Sequence, residues 1–170
     1  MADVPSTPAD GNIKTVLVPA IADINAPTVA ELTDPTAVEI SCYLTPGGFA
    51  FTIDQATITD ERECDTITRA KPGRKTPTLQ ITGIDNTNSE SATDANDLAE
   101  ALTEGSNWYA VRRRGKAFDE PFAAADVVAV TQFDTGVGSE VSAEANSVLR
   151  TLWNTFVNAH EPKAVVAAGS

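Results

Sequence analysis

The supply and spacing of β-branched residues constrain this chain more than any other feature. Thr, Val and Ile number 21, 15 and 9 among 170 residues, about a quarter of the chain, and they fall in short runs broken by Pro, Gly, Asn and Asp. Such side chains are stiff about χ1 and pack well on a pleated surface, and the residues between them are turn formers, so the pattern predicts antiparallel sheet. The length suits one domain with its own core. We expect that domain over residues 1–160, with a small, polar tail at 161–170 that frays.

Individual runs can be placed. Residues 13–18 (IKTVLV) read as a strand that stops at Pro19, and the proline-dotted stretch after it allows at most one helical turn near Val29 to Leu32. A second strand is expected at 38–44, ending at Pro46-Gly47-Gly48. Residues 55–69 and 75–84 flank Ala70 to Arg74, where Pro72-Gly73 suits a type II turn, and together they read as one long hairpin. Its apolar face is expected to carry Ala56, Ile58, Leu79 and Ile81. Thr57, Thr59, Glu61, Thr78, Gln80 and Thr82 then form the wet face.

The period changes at 89–106. Ala95, Leu98, Ala99 and Leu102 lie at i, i+3, i+4 and i+7, Asp94 and Asp97 suit the start of a helix, and Gly105 follows its end. One flanking helix is expected there. Residues 108–114 and 126–133 are strand-like. The segment 147–157 fits two templates: Val148, Leu149, Leu152, Trp153, Phe156 and Val157 make a helical stripe, while Thr151, Trp153, Thr155 and Val157 make one face of a strand. Periodicity by itself favours the helix.

Charge narrows the partners. With 24 acidic and 12 basic residues the net charge is −12, which repels phosphate and argues against a dedicated binder of nucleic acid or anionic membrane. Neither a signal-peptide pattern nor a run of apolar residues long enough to span a bilayer is seen, as expected of a soluble chain made in a cytosol. The one dense basic run is Arg112-Arg113-Arg114-Gly115-Lys116, with Asp119, Glu120 and Asp126 nearby as counter-ions. It reads as a solvated strand end, as a salt-bridging patch for an acidic neighbouring copy, or as a nucleic-acid contact.

Catalytic and metal-binding patterns are missing. The single histidine, His160, has no evident orienting partner and makes a poor catalytic base, and a histidine-rich metal site is excluded. Asp60, Glu61, Glu63 and Asp65 cluster, but strand alternation splits them between faces. Asp85 to Glu90 begins like a calcium-binding loop, yet the sixth position is not Gly and the twelfth is Asn96. Gly136-Val137-Gly138 is a fragment of a nucleotide-binding fingerprint and reads as a turn. Cys42 and Cys64 read as two small buried residues or as a disulfide pair. No enzyme activity and no cofactor are expected.

Six stretches, in order, carry a resemblance: NIKTVLVPAIADINAPTVAELT at 12–33, SCYLT at 41–45, DQATITDERECDT at 54–66, PTLQIT at 77–82, DVVAV at 126–130 and EANSVLR at 144–150. Together they resemble the major tail (tail tube) proteins of long-tailed siphophages infecting actinobacteria. The resemblance implies a mainly β, antiparallel β-sandwich or half-barrel subunit with one flanking helix. Such subunits form hexameric rings that stack into a tube, and their inner sheets join into one closed barrel. It also implies a loop or hairpin reaching the next ring, a tape measure protein filling the lumen, tail tip (initiator) and tail terminator proteins as partners, and phage DNA passing through without specific binding. The virion is then the final location, after assembly in the host cytoplasm. For 147–157 the resemblance implies a strand, whereas the arginine run and the WNTFV stretch at 153–157 are departures from the family pattern.

In that frame Thr57, Thr59, Glu61, Thr78, Gln80 and Thr82 are candidates for the lumen wall, since hydroxyls, amides and carboxylates hold water and repel phosphate. Arg112, Arg113, Arg114 and Lys116 are candidates for contacts between subunits. A stand-alone immunoglobulin-like binding module and a capsid decoration or head–tail connector protein share the strand pattern and remain as alternatives.

Overall fold

The computed structural model describes residues 4–64, 66–93 and 95–169. Strands β1 (Ile13–Val18), β2 (Val38–Glu39), β3 (Leu44–Asp60), β4 (Arg69–Ile84), β5 (Asn107–Arg114), β6 (Val127–Glu140) and β7 (Arg150–Val165) form one antiparallel sheet in the order β2-β1-β5-β6-β7-β4-β3. Two short helices accompany it, α1 (Val29–Leu32) and α2 (Asp97–Ala101). The mainly β half-barrel with a flanking helix is the architecture expected from the sequence.

The sheet is strongly curled. Arg112 on β5 and Phe49 on β3 stand four strands apart, about 19 Å on a flat sheet at the usual inter-strand spacing. The guanidinium carbon of Arg112 lies only 4.7 Å from the centre of the Phe49 ring. Inside the curl Leu17, Leu79, Ile81, Ala110, Phe133 and Trp153 make one core, closed at one end by Leu98 and Leu102. On the outer face Val16, Val18, Val111, Val128 and Val130 make a second core under Ile21, Leu32 and Phe122 from the connecting segments. β1 is therefore covered on both sides, which is why its residues 14–18 are all buried rather than alternating.

The single turn of α1 is where the prolines allow it, held by a capping box in which Glu31 N–H bonds the Thr28 hydroxyl and the Glu31 carboxylate bonds Thr28 N–H. The second helix is shorter than its apolar spacing predicts. Asn96 accepts from Asn86 N–H and donates to the Thr87 hydroxyl, while the Asn86 amide donates to Ala95 O, so these polar side chains hold 86–93 in turns against Ala95 and Asn96. Only the part anchored by Leu98 is helical. Asp97 falls in the first turn as expected, and Asp94 lies outside the described residues.

Three turn assignments are corrected. Pro72-Gly73 lies within β4, since β3 runs to Asp60 and β4 starts at Arg69; the register steps from Gln55↔Lys75 to Thr57↔Pro72, so the extra residue is taken up as a bulge. Pro46-Gly47-Gly48 does not end a strand but belongs to β3, where a register shift between Leu44 and Phe49 and a positive φ at Gly47 mark an edge irregularity that tolerates proline. Gly136-Val137-Gly138 runs through β6, and a Cβ on Gly136 would come 2.8 Å from Asn154 O, so glycine lets the backbones approach.

The segment 147–157 enters β7 at Arg150 and is a strand, against its helical stripe, because Trp153 and Val157 face the inner core while Phe156 points outward. β7 continues past His160 to Val165, and Ala164 and Val166 are buried. Val165 N–H and Ala167 N–H bond Asn25 O and Pro27 O, so this stretch is tied down rather than frayed. Cys42 and Cys64 are free and exposed, correcting the expectation of burial or pairing; one sits in the turn before β3 and the other in the β3–β4 loop.

Candidate functional site

One part of the sheet has no layer over it. Alternation places Thr78, Gln80 and Thr82 of β4 opposite Leu79 and Ile81, on the outer face, with Asn154 and Phe156 of β7, Asp134 of β6 and Asn107 of β5 in register beside them. The polar groups satisfy one another. Gln80 Nε2 donates to Asn154 Oδ1 at 3.0 Å, and the Thr52 and Thr78 hydroxyls are 2.6 Å apart. Asn158 and Asn107 donate to the two oxygens of Asp134 at 2.9 and 2.7 Å, and these bonds hold its carboxyl below the ordinary carboxylate value. This network contains one carboxylate and no cation, so it offers phosphate nothing to bind. Phe156 interrupts it, 68% exposed between the two asparagines.

Of the six residues expected on the wet face, the structure brings together Thr78, Gln80 and Thr82. The β4 bulge leaves β3 regular, so Thr57 and Thr59 share the face of Phe49, Phe51 and Ile53. Glu61 lies in the loop beyond β3. Ala56 and Ile58 turn to the same side as Thr78 and Gln80 instead of packing with Leu79 and Ile81, and Ile58 is 55% exposed. The reason is geometric: β4 pairs with β7 only from Leu79 to Ile84, and the rest of the hairpin projects as a two-stranded arm. Asn107, Asp134, Asn154 and Asn158 are absent from the sequence-based set. The alternation of Asn154, Phe156 and Asn158 was the available signal, hidden by the competing helical stripe.

Strand alternation also divides the basic run. Arg113 is 1% exposed on the outer face, where it donates to Pro121 O, Ala117 O and Glu120 O at 2.7–2.9 Å and to Asp126 Oδ2 at 3.0 Å. Lys116 pairs with Asp126 Oδ1 at 2.8 Å and with Glu120 at 3.3 Å. These two side chains are engaged within their own subunit by Asp126 and Glu120, while Asp119, the third expected counter-ion, pairs with neither of them. Arg112 points to the inner face and is half-buried, and Arg114 is exposed.

The other chemical candidates resolve into structural contacts. Asp85 accepts from Thr87 N–H and its hydroxyl and from the Thr151 hydroxyl, tying its loop to β7; burial raises its carboxyl, but these bonds outweigh it and hold it low. Asp60 pairs with Arg62 and Lys71, Glu61 and Glu63 are exposed, and Asp65 lies outside the described residues. His160 stacks on Phe51 at 4.1 Å between centroids, with Nδ1 2.9 Å from the Thr131 hydroxyl. Among the described residues no group of His, Cys, Asp and Glu is arranged to hold a metal ion, and no helix is long and apolar enough to cross a membrane.

A curled antiparallel sheet with two open edges and a self-satisfied polar face defines a structural β-protein. The family model described as phage tail tube protein matches residues 1–170, and the chain belongs to that family. It is a structural phage tail protein and not an enzyme, a component of the virion that builds a tube with other tail proteins. Among solved structures, a chain of the anti-feeding prophage (AFP) baseplate, determined by cryo-EM with 6-fold symmetrisation, is similar over 92% of this chain and 96% of its own, with a TM-score of 0.52 and 11% identity, which is a likeness of fold. No sequence among curated proteins matches.

Proposed function

We propose that this chain is the major tail tube subunit of a long-tailed siphophage infecting actinobacteria, and that it assembles in the host cytoplasm into stacked, hexameric rings. Edges β2 and β3 pair with neighbouring copies, which removes the aggregation hazard of an open sheet. The uncovered face of β4, β7, β6 and β5 lines the lumen. A tape measure protein occupies that lumen before ejection, tip (initiator) and terminator proteins bound the tube, and DNA passes through without specific binding.

The observation that carries this reading is the polar face itself. The amides, hydroxyls and single carboxylate from Thr78 and Gln80 to Asn107 bond one another and include no cation, the one arginine of that face, Arg150, standing half-buried at the first position of β7, so a polyanion meets a hydrated, mildly repulsive wall and slides. Thr57, Thr59 and Glu61 then belong to the projecting arm. The six-fold symmetry of the baseplate neighbour supports a hexameric ring.

The test is to place cations on that wall. Thr78→Lys, Gln80→Lys and Asn154→Lys together should leave folding intact and slow or stop DNA ejection from assembled particles, since each lysine adds a phosphate contact. Unaltered ejection kinetics would remove this face from the lumen.

A further inference from the structure

Where the curled sheet nearly meets itself, the start of β3 leans over β1 and β5 and leaves a cleft of about 390 Å³. Thr15 and Arg112 are directly opposed in the β1–β5 register and both line it, together with Ser41, Phe49 and Phe118. Two polar atoms there lack partners: Thr15 Oγ1 and Arg112 Nε. The Thr15 backbone is satisfied by the Ser41 hydroxyl at 2.9 Å, but its own hydroxyl is not, although the residue is 1% exposed.

Arg112 contrasts with the residue beside it. Arg113 has a carboxylate and three carbonyls; Arg112 has the Phe49 ring and one long bond, 3.5 Å, to Phe49 O. Burial, and then the charge of Arg114, pull its pKa down. Among the described residues no carboxylate lies within ion-pair distance of it, in a chain with 24 acidic residues. A half-buried guanidinium beside an orphaned hydroxyl is costly unless something supplies acceptors.

We propose that this cleft binds a carboxylate, supplied in the assembled tube by an acidic side chain of a second copy of this chain; the source, though not the site, rests on the tube reading. A carboxylate matches the donors, taking the guanidinium edge with one or both oxygens and the Thr15 O–H on a remaining lone pair. The apolar rim of Ile13, Leu44, Phe49 and Phe118 strengthens such a contact by excluding water. Copies that each carry −12 repel at a distance, so a head-to-tail contact needs cation–carboxylate attraction at the point of touch.

Arg112→Met and Thr15→Val test it. Each removes an unsatisfied polar atom, so the unfolding midpoint of the isolated chain should hold or rise. The concentration needed for assembly should rise by about tenfold or more for Arg112→Met, and Thr15→Val should add little on top of it, as two groups sharing one ligand require. Unchanged assembly concentrations, or a fall in midpoint that accounts for the assembly defect, overturn the proposal. Acetate titrated into the unassembled chain, followed by the Arg112 Nε–H resonance, reads the cleft without any ring. A saturable shift that weakens in Thr15→Val is expected, and a resonance that acetate leaves unmoved refutes the site. A wild-type chain that shifts with acetate but never assembles refutes the second-copy source and the tube reading together while leaving the carboxylate site standing.

Discussion

Arg113 Nη1 lies 3.0 Å from Asp126 Oδ2, and both side chains are almost wholly buried. This pair fastens the 117–126 connection over the outer core, because the same guanidinium also takes the carbonyls of Ala117, Glu120 and Pro121. Removing one partner strands the other charge in a site with little water, so Asp126→Asn should cost about 3 kcal/mol of stability. Denaturant unfolding measures it, and a loss within error of zero would mean the carbonyls alone hold Arg113.

The same pair sets an acid limit. Burial raises the Asp126 carboxyl, but Lys116, Ala123 N–H and Arg113 outweigh that and keep it below its ordinary value of 3.8. A carboxyl titrating lower in the folded state contributes stability fully above the unfolded value and loses it as pH falls through the folded one. Stability of the wild-type chain should therefore drop below about pH 4 with a limb that Asp126→Asn flattens. Thermal midpoints against pH for the two chains check it.

His160 acts at milder pH. Burial against Phe51 and Thr131 pushes its pKa below 6.5, and Glu161 opposes this only in part. The unfolded chain takes up this proton first, so stability should fall as pH drops from 6.5 toward the folded pKa and level off below it. His160→Asn should remove that slope. An NMR titration showing His160 protonated at or above its ordinary value would contradict the packing described.

Leu98 anchors the short α2 against the inner core and is fully buried. Leu98→Ala should cost about 3 kcal/mol through lost contacts and a residual cavity. Amide exchange should then quicken over α2 and the 86–93 turns while β5 and β6 remain protected.

Cys42 and Cys64 both stand free at the surface. A thiol reagent should label two equivalents promptly in the native, unassembled chain, without the lag that waiting for unfolding would impose. Slow labelling of either would place it in the core after all.

The β character, the strands β1 and β5 and the single turn of α1 are legible in the sequence because each rests on a local signal. Where the reading fails, two local signals compete and a distant contact decides. Pro72-Gly73 carries strong turn chemistry, but Leu79 and Ile81 must sit beside Trp153, and the register that achieves this carries β3 on to Asp60 and leaves the Pro-Gly pair in a bulge of β4. That one shift also sends Ala56 and Ile58 to the opposite face. Three consecutive arginines look like a patch along the chain, yet on a strand Arg113 points away from Arg112 and Arg114. The 153–157 stretch satisfies a helical stripe, and only pairing with β4 and β6 makes it a strand that exposes Phe156. Asn107, Asp134, Asn154 and Asn158 come together from three strands, a convergence no local pattern encodes.

Closure of this sheet with its neighbours around a polar lumen can be seen by cryo-EM of the purified chain at high concentration, with tail tip complexes added as nuclei. Hollow tubes of stacked rings should form, with Gln80, Asn154 and Asp134 facing the central channel. A chain that stays single even with nuclei present, or tubes that carry those three residues on the outside, would contradict it.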